Sequence, residues 1–140
     1  MNYVDTSILV AALTTEQHTA RAERLLSSTR GDELAISEWT IAEFSSALSL
    51  KLRLRTIDAD ARDAALDALS IMIAESLLVL TVNGGHFRMA ARYADQHSLG
   101  LRAPDALHLA VASGQGAVLC TLDKRLAAAG KSLGVPARMI

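Results

Sequence analysis

An α/β fold, with a parallel sheet of four to five strands covered by helices on both faces, is predicted by three observations. Short β-rich runs alternate with helical stretches. Those runs are almost continuously apolar, without the in-and-out alternation of a half-solvated sheet. Of the 140 residues, 51% are hydrophobic, enough for one sizeable core. The first run, NYVD at 2–5, leads into a helix over 6–13, and LAIS at 34–37 is the second strand, followed by a helix over 38–52. The segment 58–76 opens with Asp58, Asp60 and Asp63, which favour a helix N-terminus, and then places Leu66, Leu69, Ile73 and Leu77 at helical spacing. LLVLT at 77–81 is the third strand. Helices follow from Gly85 to His97 and from Pro104, at its first position, to the residue before Gly114. AVLCT at 117–121 is the fourth strand and ARMI at 137–140 a candidate fifth. No linker, repeat or low-complexity segment interrupts the pattern, so residues 1–140 are read as a single domain.

Charge and cysteine content narrow the function. Lys plus Arg number 14 against 15 Asp plus Glu, a net charge of -1 with pI near 6.4, so no global positive field favours a polyanion and any nucleic-acid contact must be local. One cysteine, Cys120, can form neither an internal disulfide nor a cysteine-rich zinc site, so a reducing cytoplasm is expected and any metal needs oxygen ligands. Cys120 itself reads as a buried small apolar residue. The start, MNYVDTSILVAAL, lacks a basic segment and is too short an apolar run for export. The longest uncharged stretch, 106–122, is broken by His108, Ser113, Gly114, Gln115 and Gly116, so a soluble protein is expected, with no membrane partner.

In an open parallel sheet, ligands bind outside the carboxyl ends of the strands, which directs attention to four acids. Asp5 closes the first strand, Glu43 lies in the second turn of the helix after LAIS, Asp105 follows Pro104, and Asp123 follows AVLCT. At helical spacing Glu43 shares its side with Trp39, Ala47 and Leu50, and Asp105 shares its side with Leu109 and Ala112. A carboxylate on an apolar face is costly unless paired, hydrogen-bonded or metal-bound. Singly, Asp5 and Asp123 would serve as helix caps and Asp105 would complement a helix dipole. Together the four describe one cluster of hard oxygen donors, the set that Mg²⁺ or Mn²⁺ prefers. Crowded carboxylates repel, so at least one is expected to titrate above its ordinary value.

These residues resemble the PIN domain and, within that superfamily, the VapC-type toxins of bacterial toxin–antitoxin pairs. The likeness covers nearly the whole chain and rests on the order and spacing of four short motifs. YVDTS resembles the first acidic motif, with Asp5 in its acid position and Ser7 as the small hydroxyl residue; SEWTIAEFSSAL resembles the second, with Glu43. RAPDALHLAVAS resembles the third, with Asp105, and TLDKRL the fourth, with Thr121 and Asp123. The resemblance implies an α/β/α sandwich with Asp5 and the strand before Asp123 at its central crevice. It also implies a cytoplasmic homodimer that hydrolyses RNA phosphodiester bonds with Mg²⁺ or Mn²⁺. Such a toxin blocks translation or growth and is inhibited by a cognate antitoxin seated in the groove. Asp5, Asp105 and Asp123 would hold the metal, and Glu43 would position water or a second ion.

Other readings were weighed on the same residues. A haloacid-dehalogenase-type phosphatase needs a second Asp two residues after the first, where Ser7 stands; a receiver domain needs an Asp after the third strand, where Leu80, Thr81 and Val82 stand. There is no GxxxxGK for a phosphate loop. The rival from another class is a PIN-like module that binds RNA or a partner without cutting it. Lys51, Arg53, Arg55, Arg88, Arg102, Lys124 and Arg125 are candidate phosphate contacts, although each also reads as an ordinary solvated charge. His108, one turn after Asp105, is within reach of the site, although it reads first as a packed helix histidine; His18, His86 and His97 lack metal-ligand spacing. The 38–52 helix is apolar both on the Glu43 side and on the side of Ile41, Leu48 and Leu52. One side is expected to face the sheet and the other a partner, with Leu48→Glu as the probe.

Overall fold

The computed structural model describes residues 1–30 and 33–140. Among them the strands are β1 (Asn2–Val4), β2 (Leu34–Ser37), β3 (Leu78–Leu80), β4 (Val118–Thr121) and β5 (Ala137–Met139). The helices are α1 (Thr6–Leu13), α2 (Thr19–Ser28), α3 (Glu38–Arg53), α4 (Ala59–Glu75), α5 (Gly84–Ala94), α6 (Ala103–Gly114) and α7 (Lys124–Ser132). All four strand pairings are parallel, in the order β3-β2-β1-β4-β5. From β1 the chain steps outward through β2 to β3, then crosses back to lay β4 against the other side of β1. The order therefore reverses between β1 and β4, the place where an open α/β sheet forms its crevice.

Apolarity on both faces of each strand has a direct cause. Successive side chains alternate between two hydrophobic layers. Tyr3, Ala35 and Leu119 point into the layer built by α5, α6 and α7; Val4, Ile36 and Cys120 point into the layer built by α1 to α4. The register Tyr3↔Ala35, Tyr3↔Leu119 and Val4↔Cys120 aligns these sets across the sheet. Cys120 is buried as expected. No helix among the described residues is long and apolar enough to cross a membrane.

Three expectations are corrected. The helix predicted from Gly85 to His97 ends at Ala94, and residues His97–Leu99 form a separate 3₁₀ turn closed by Gly100 at φ 63°. Helix α6 starts at Ala103, so Pro104 is its second residue, and it includes Gly114. On α3 the buried line is Thr40, Phe44 and Leu48, while Leu50 is 48% exposed. Leu48 is 0% exposed and belongs to the core, so Leu48→Glu would report on folding and not on a partner. Phe44 decides the orientation, because the bulkier ring buries more apolar area than Leu50.

Helix α7 packs against β5 and α6 only because residue 130 has no side chain. A Cβ there would lie 2.6 Å from the Ala137 Cβ and 3.0 Å from the Leu109 Cδ2. Gly130→Ala would gain helix propensity of up to about 1 kcal/mol in an open helix. Here overpacking, about 1–3 kcal/mol, opposes and exceeds that gain. Urea denaturation of Gly130→Ala is expected to show a lower midpoint than the parent; an equal or higher midpoint would show that α7 can shift freely off the sheet.

Candidate active site

Asp5 follows β1 directly, and its backbone N–H extends the β1–β4 pairing by donating to the Cys120 carbonyl at 3.2 Å. Its Oδ1 accepts from the Ser7 N–H (3.1 Å), the Ser7 hydroxyl (2.5 Å) and the Ile8 N–H (3.4 Å), so it caps α1. The Ser7 hydroxyl in turn accepts from the Leu122 N–H at 3.0 Å and ties the ends of β1 and β4 together across the crevice. Asp5 is 4% exposed. Burial raises its pKa above the ordinary value, against the opposing pull of His108 and of the hydroxyls of Ser7 and Thr121.

Glu43 stands in the second turn of α3, a helix started by Ser37 and Thr40 in a reciprocal capping box. Its Oε2 accepts from the Thr6 hydroxyl (2.6 Å) and from the His108 Nε2 (2.5 Å). Burial alone would push its pKa up; the hydrogen bond and charge of His108, with the Thr6 hydroxyl, hold it below the ordinary value. His108 is 2% exposed and its Nδ1 meets the Tyr3 hydroxyl at 2.8 Å. That hydroxyl also meets Ser37 Oγ (2.8 Å) and Thr40 Oγ1 (3.1 Å). Burial pushes the Tyr3 pKa up to about 12, so the phenol keeps its proton and remains a donor.

Asp105 is the third residue of α6 and half-buried. No hydrogen bond or ion pair to its carboxylate occurs among the described residues. Burial raises its pKa first, then the charge of Asp123; His108 opposes, and Glu43 and Asp5 add smaller upward contributions. Asp123 is exposed and caps α7, its Oδ1 accepting from the N–H groups of Arg125 (2.7 Å) and Leu126 (3.2 Å). Asp105 and Asp123 line one cavity of about 330 Å³ together with Arg102 and Arg125. A larger cavity of about 920 Å³, between the α1–α2 and α3–α4 segments, contains none of the four acids.

All four predicted acids therefore lie at the carboxyl ends of β1 and β4 or on the helices beside them, and the other three act on Asp105 electrostatically. Among the described residues, however, no three His, Cys, Asp or Glu side chains stand in metal-holding geometry. Asp5 and Asp123 are turned to helix N-termini, and Glu43 to His108 and Thr6. The donor set, hard carboxylate oxygens sharing one crevice and repelling one another, fits a small oxygen-preferring dication. Of the basic candidates, Lys51 is ion-paired with Glu16, whereas Arg102 and Arg125 border the acids.

His108 is packed, as expected, and it also reaches the site, where it holds Glu43. Its place beside the acids, though not its partners, follows from two spacings. Asp105 and His108 are three apart on one helix, and Tyr3 and Asp5 are two apart on one strand, so each pair shares a face. Thr6, the other Glu43 partner, directly follows Asp5 and carries no separate signal in the sequence.

The raised pKa of Asp105 has a consequence for stability. A group that binds its proton more tightly when folded contributes stability that is lost as pH rises from the unfolded pKa through the folded one. Glu43, depressed, contributes in the opposite sense, losing stability as pH falls through its folded value. Asp105→Asn removes only the first effect. The melting midpoint of the variant minus that of the parent is therefore expected to grow from about pH 4 to about pH 7. A constant or shrinking difference would show that Asp105 carries no excess repulsion.

A PIN domain family profile matches residues 3–132. Among solved structures the chain is similar to VapC20 of Mycobacterium tuberculosis, described as a sarcin-ricin loop cleaving toxin: 22% identity, 93% of this chain and 95% of that one covered, TM-score 0.73. It is similar to PAE2754 of Pyrobaculum aerophilum at 29% identity, with 97% and 82% covered and TM-score 0.70. It is also similar to a chain of a toxin–antitoxin complex from Klebsiella pneumoniae at 18% identity, with 88% and 87% covered and TM-score 0.60. Comparison with curated proteins gives no match.

Proposed function

The chain belongs to the PIN-domain family, and from that premise we propose that it is a divalent-metal-dependent endoribonuclease, the toxin of a toxin–antitoxin pair. The observation that carries this reading is the crevice between β1 and β4, where Asp5, Glu43 and Asp123 all bear on the half-buried Asp105, which has no hydrogen-bond partner among the described residues. The description of VapC20 as a sarcin-ricin loop cleaving toxin supports the toxin reading, and the Klebsiella complex supports an antitoxin partner.

Asp5, Asp105 and Asp123 would hold Mg²⁺ or Mn²⁺, with Glu43 as a further ligand or as the group that orients water. Such an ion supplies Lewis-acid activation of the phosphoryl oxygen and of water. The chain's own groups account for the rest. The Glu43 carboxylate, kept ionised by His108 and Thr6, accepts a proton from the attacking water as its oxygen bonds to phosphorus and the P–O bond to the leaving ribose oxygen breaks. Arg102 and Arg125, at the rim of the cavity with Asp105 and Asp123, offset the repulsion between phosphate and acids. We further assign residues 1–140 to one domain, a cytoplasmic location and a homodimeric state. Induced expression in bacterial cells is expected to arrest growth and protein synthesis, and Glu43→Gln at equal expression is expected not to. Arrest by both proteins alike would remove the catalytic reading and leave a PIN-like module that acts by binding.

A further inference from the structure

Tyr3, His108 and Glu43 form a continuous hydrogen-bonded chain from the buried middle of the sheet to the half-buried crevice. The phenol of Tyr3 is fixed by two hydroxyls of the α3 capping box, Ser37 and Thr40, and is 2.8 Å from His108 Nδ1. The tilted rings of Tyr3 and His108 also touch, with centroids 5.7 Å apart. On the far side of the imidazole, Nε2 is 2.5 Å from Glu43 Oε2. An ionised carboxylate only accepts, so Nε2 carries the hydrogen. At the other nitrogen the Tyr3 hydroxyl, which can both donate and accept, completes the chain, with Ser37 and Thr40 as its further partners.

Two donors, His108 and Thr6, fall on the same carboxylate oxygen of Glu43. Oε2 is thereby committed and Oε1 is the oxygen left for water or cation. A free glutamate on an exposed helix face would rotate among several conformers; this one is held at its far end by a ring that is itself held at both nitrogens.

We propose that His108 is a positioning residue, which, braced by Tyr3, fixes the Glu43 carboxylate in the crevice with Oε2 occupied and Oε1 presented. This rests on the nuclease reading and goes beyond it by giving the two residues a task outside the acidic set. His108 touches neither substrate nor cation; its hydrogen bonds reach the acids of the crevice through Glu43 alone among the described residues. Losing partners of this kind typically lowers metal affinity or activity about 10–100-fold.

The test is a double-mutant cycle read by Mn²⁺ calorimetry, by kcat and KM on one RNA, and by circular dichroism. His108→Leu in the parent is expected to lower Mn²⁺ affinity and kcat about 10–100-fold with KM little changed. In the Glu43→Gln background the same substitution is expected to add almost nothing, because the residue it acts through is already lost. His108→Gln, whose amide can donate to Glu43, is expected to recover most of the loss. Should His108→Leu fail to fold, Tyr3→Phe keeps the ring and removes only the brace. It is expected to cost less than His108→Leu and again nothing beyond Glu43→Gln. Additive effects in the cycle, or no recovery by a folded His108→Gln, would overturn the positioning role while leaving the nuclease intact. A folded parent that neither binds Mn²⁺ at millimolar concentration nor cleaves RNA would remove the nuclease reading and this role together.

Discussion

Asp5→Asn is expected to fold as the parent does and to lose RNA cleavage by more than about a hundredfold, since removing a mere orienting partner of a metal ligand already costs about 10–100-fold. The fold should survive because Asn has the same shape and is as good a helix cap as Asp. Its carbonyl oxygen can accept from Ser7 and Ile8 as Oδ1 does now. Burial already disfavours the Asp5 charge, so removing that charge does not weaken the folded state. A structural cap and a catalytic acid thus predict different outcomes for one substitution. Matching circular dichroism with lost cleavage identifies the acid; matching circular dichroism with full cleavage reduces Asp5 to a cap.

The second large effect concerns metal and stability. A ligand that binds only the folded state adds about 2.7 kcal/mol at a hundredfold excess over its Kd. For a domain of this size that corresponds to a rise of about 5–10 °C in Tm. Mn²⁺ or Mg²⁺ is expected to raise the parent's midpoint at neutral pH by such an amount. Asp105→Asn, which takes away an acid with no hydrogen-bond partner among the described residues, is expected to gain much less. Its metal-free form is expected to melt no lower than the metal-free parent, because one repelling charge has gone. An unchanged parent midpoint, together with a strongly destabilised metal-free Asp105→Asn, would make the acids a structural network.

Much of this arrangement was legible in the sequence because it is local. β2 coincides with LAIS, and Asp58 caps α4 just ahead of the leucines that pack inward. The crevice followed from strands apolar on both faces, a pattern that forces a parallel sheet and places loop acids at one end. What was not legible depends on contacts distant in sequence. Periodicity alone gave α3 two apolar sides; only packing against the rest of the fold selected Phe44 and Leu48 for the core and left Leu50 outside. His108 is packed, as its place on α6 predicts, but its partners lie 105 positions away at Tyr3 and 65 positions away at Glu43. No spacing rule reaches across such a gap. The carboxyl end of α5 differed because the turn at His97–Leu99 keeps helical residues while breaking the helical bond pattern.

The most direct test of the central claim is incubation of purified protein with total bacterial RNA in Mn²⁺ or Mg²⁺, alongside the same reaction with excess chelator. Discrete cleavage products that form with metal, vanish with chelator and return when metal is restored are the predicted result. Intact RNA under every metal condition, or cleavage indifferent to chelator, would contradict it.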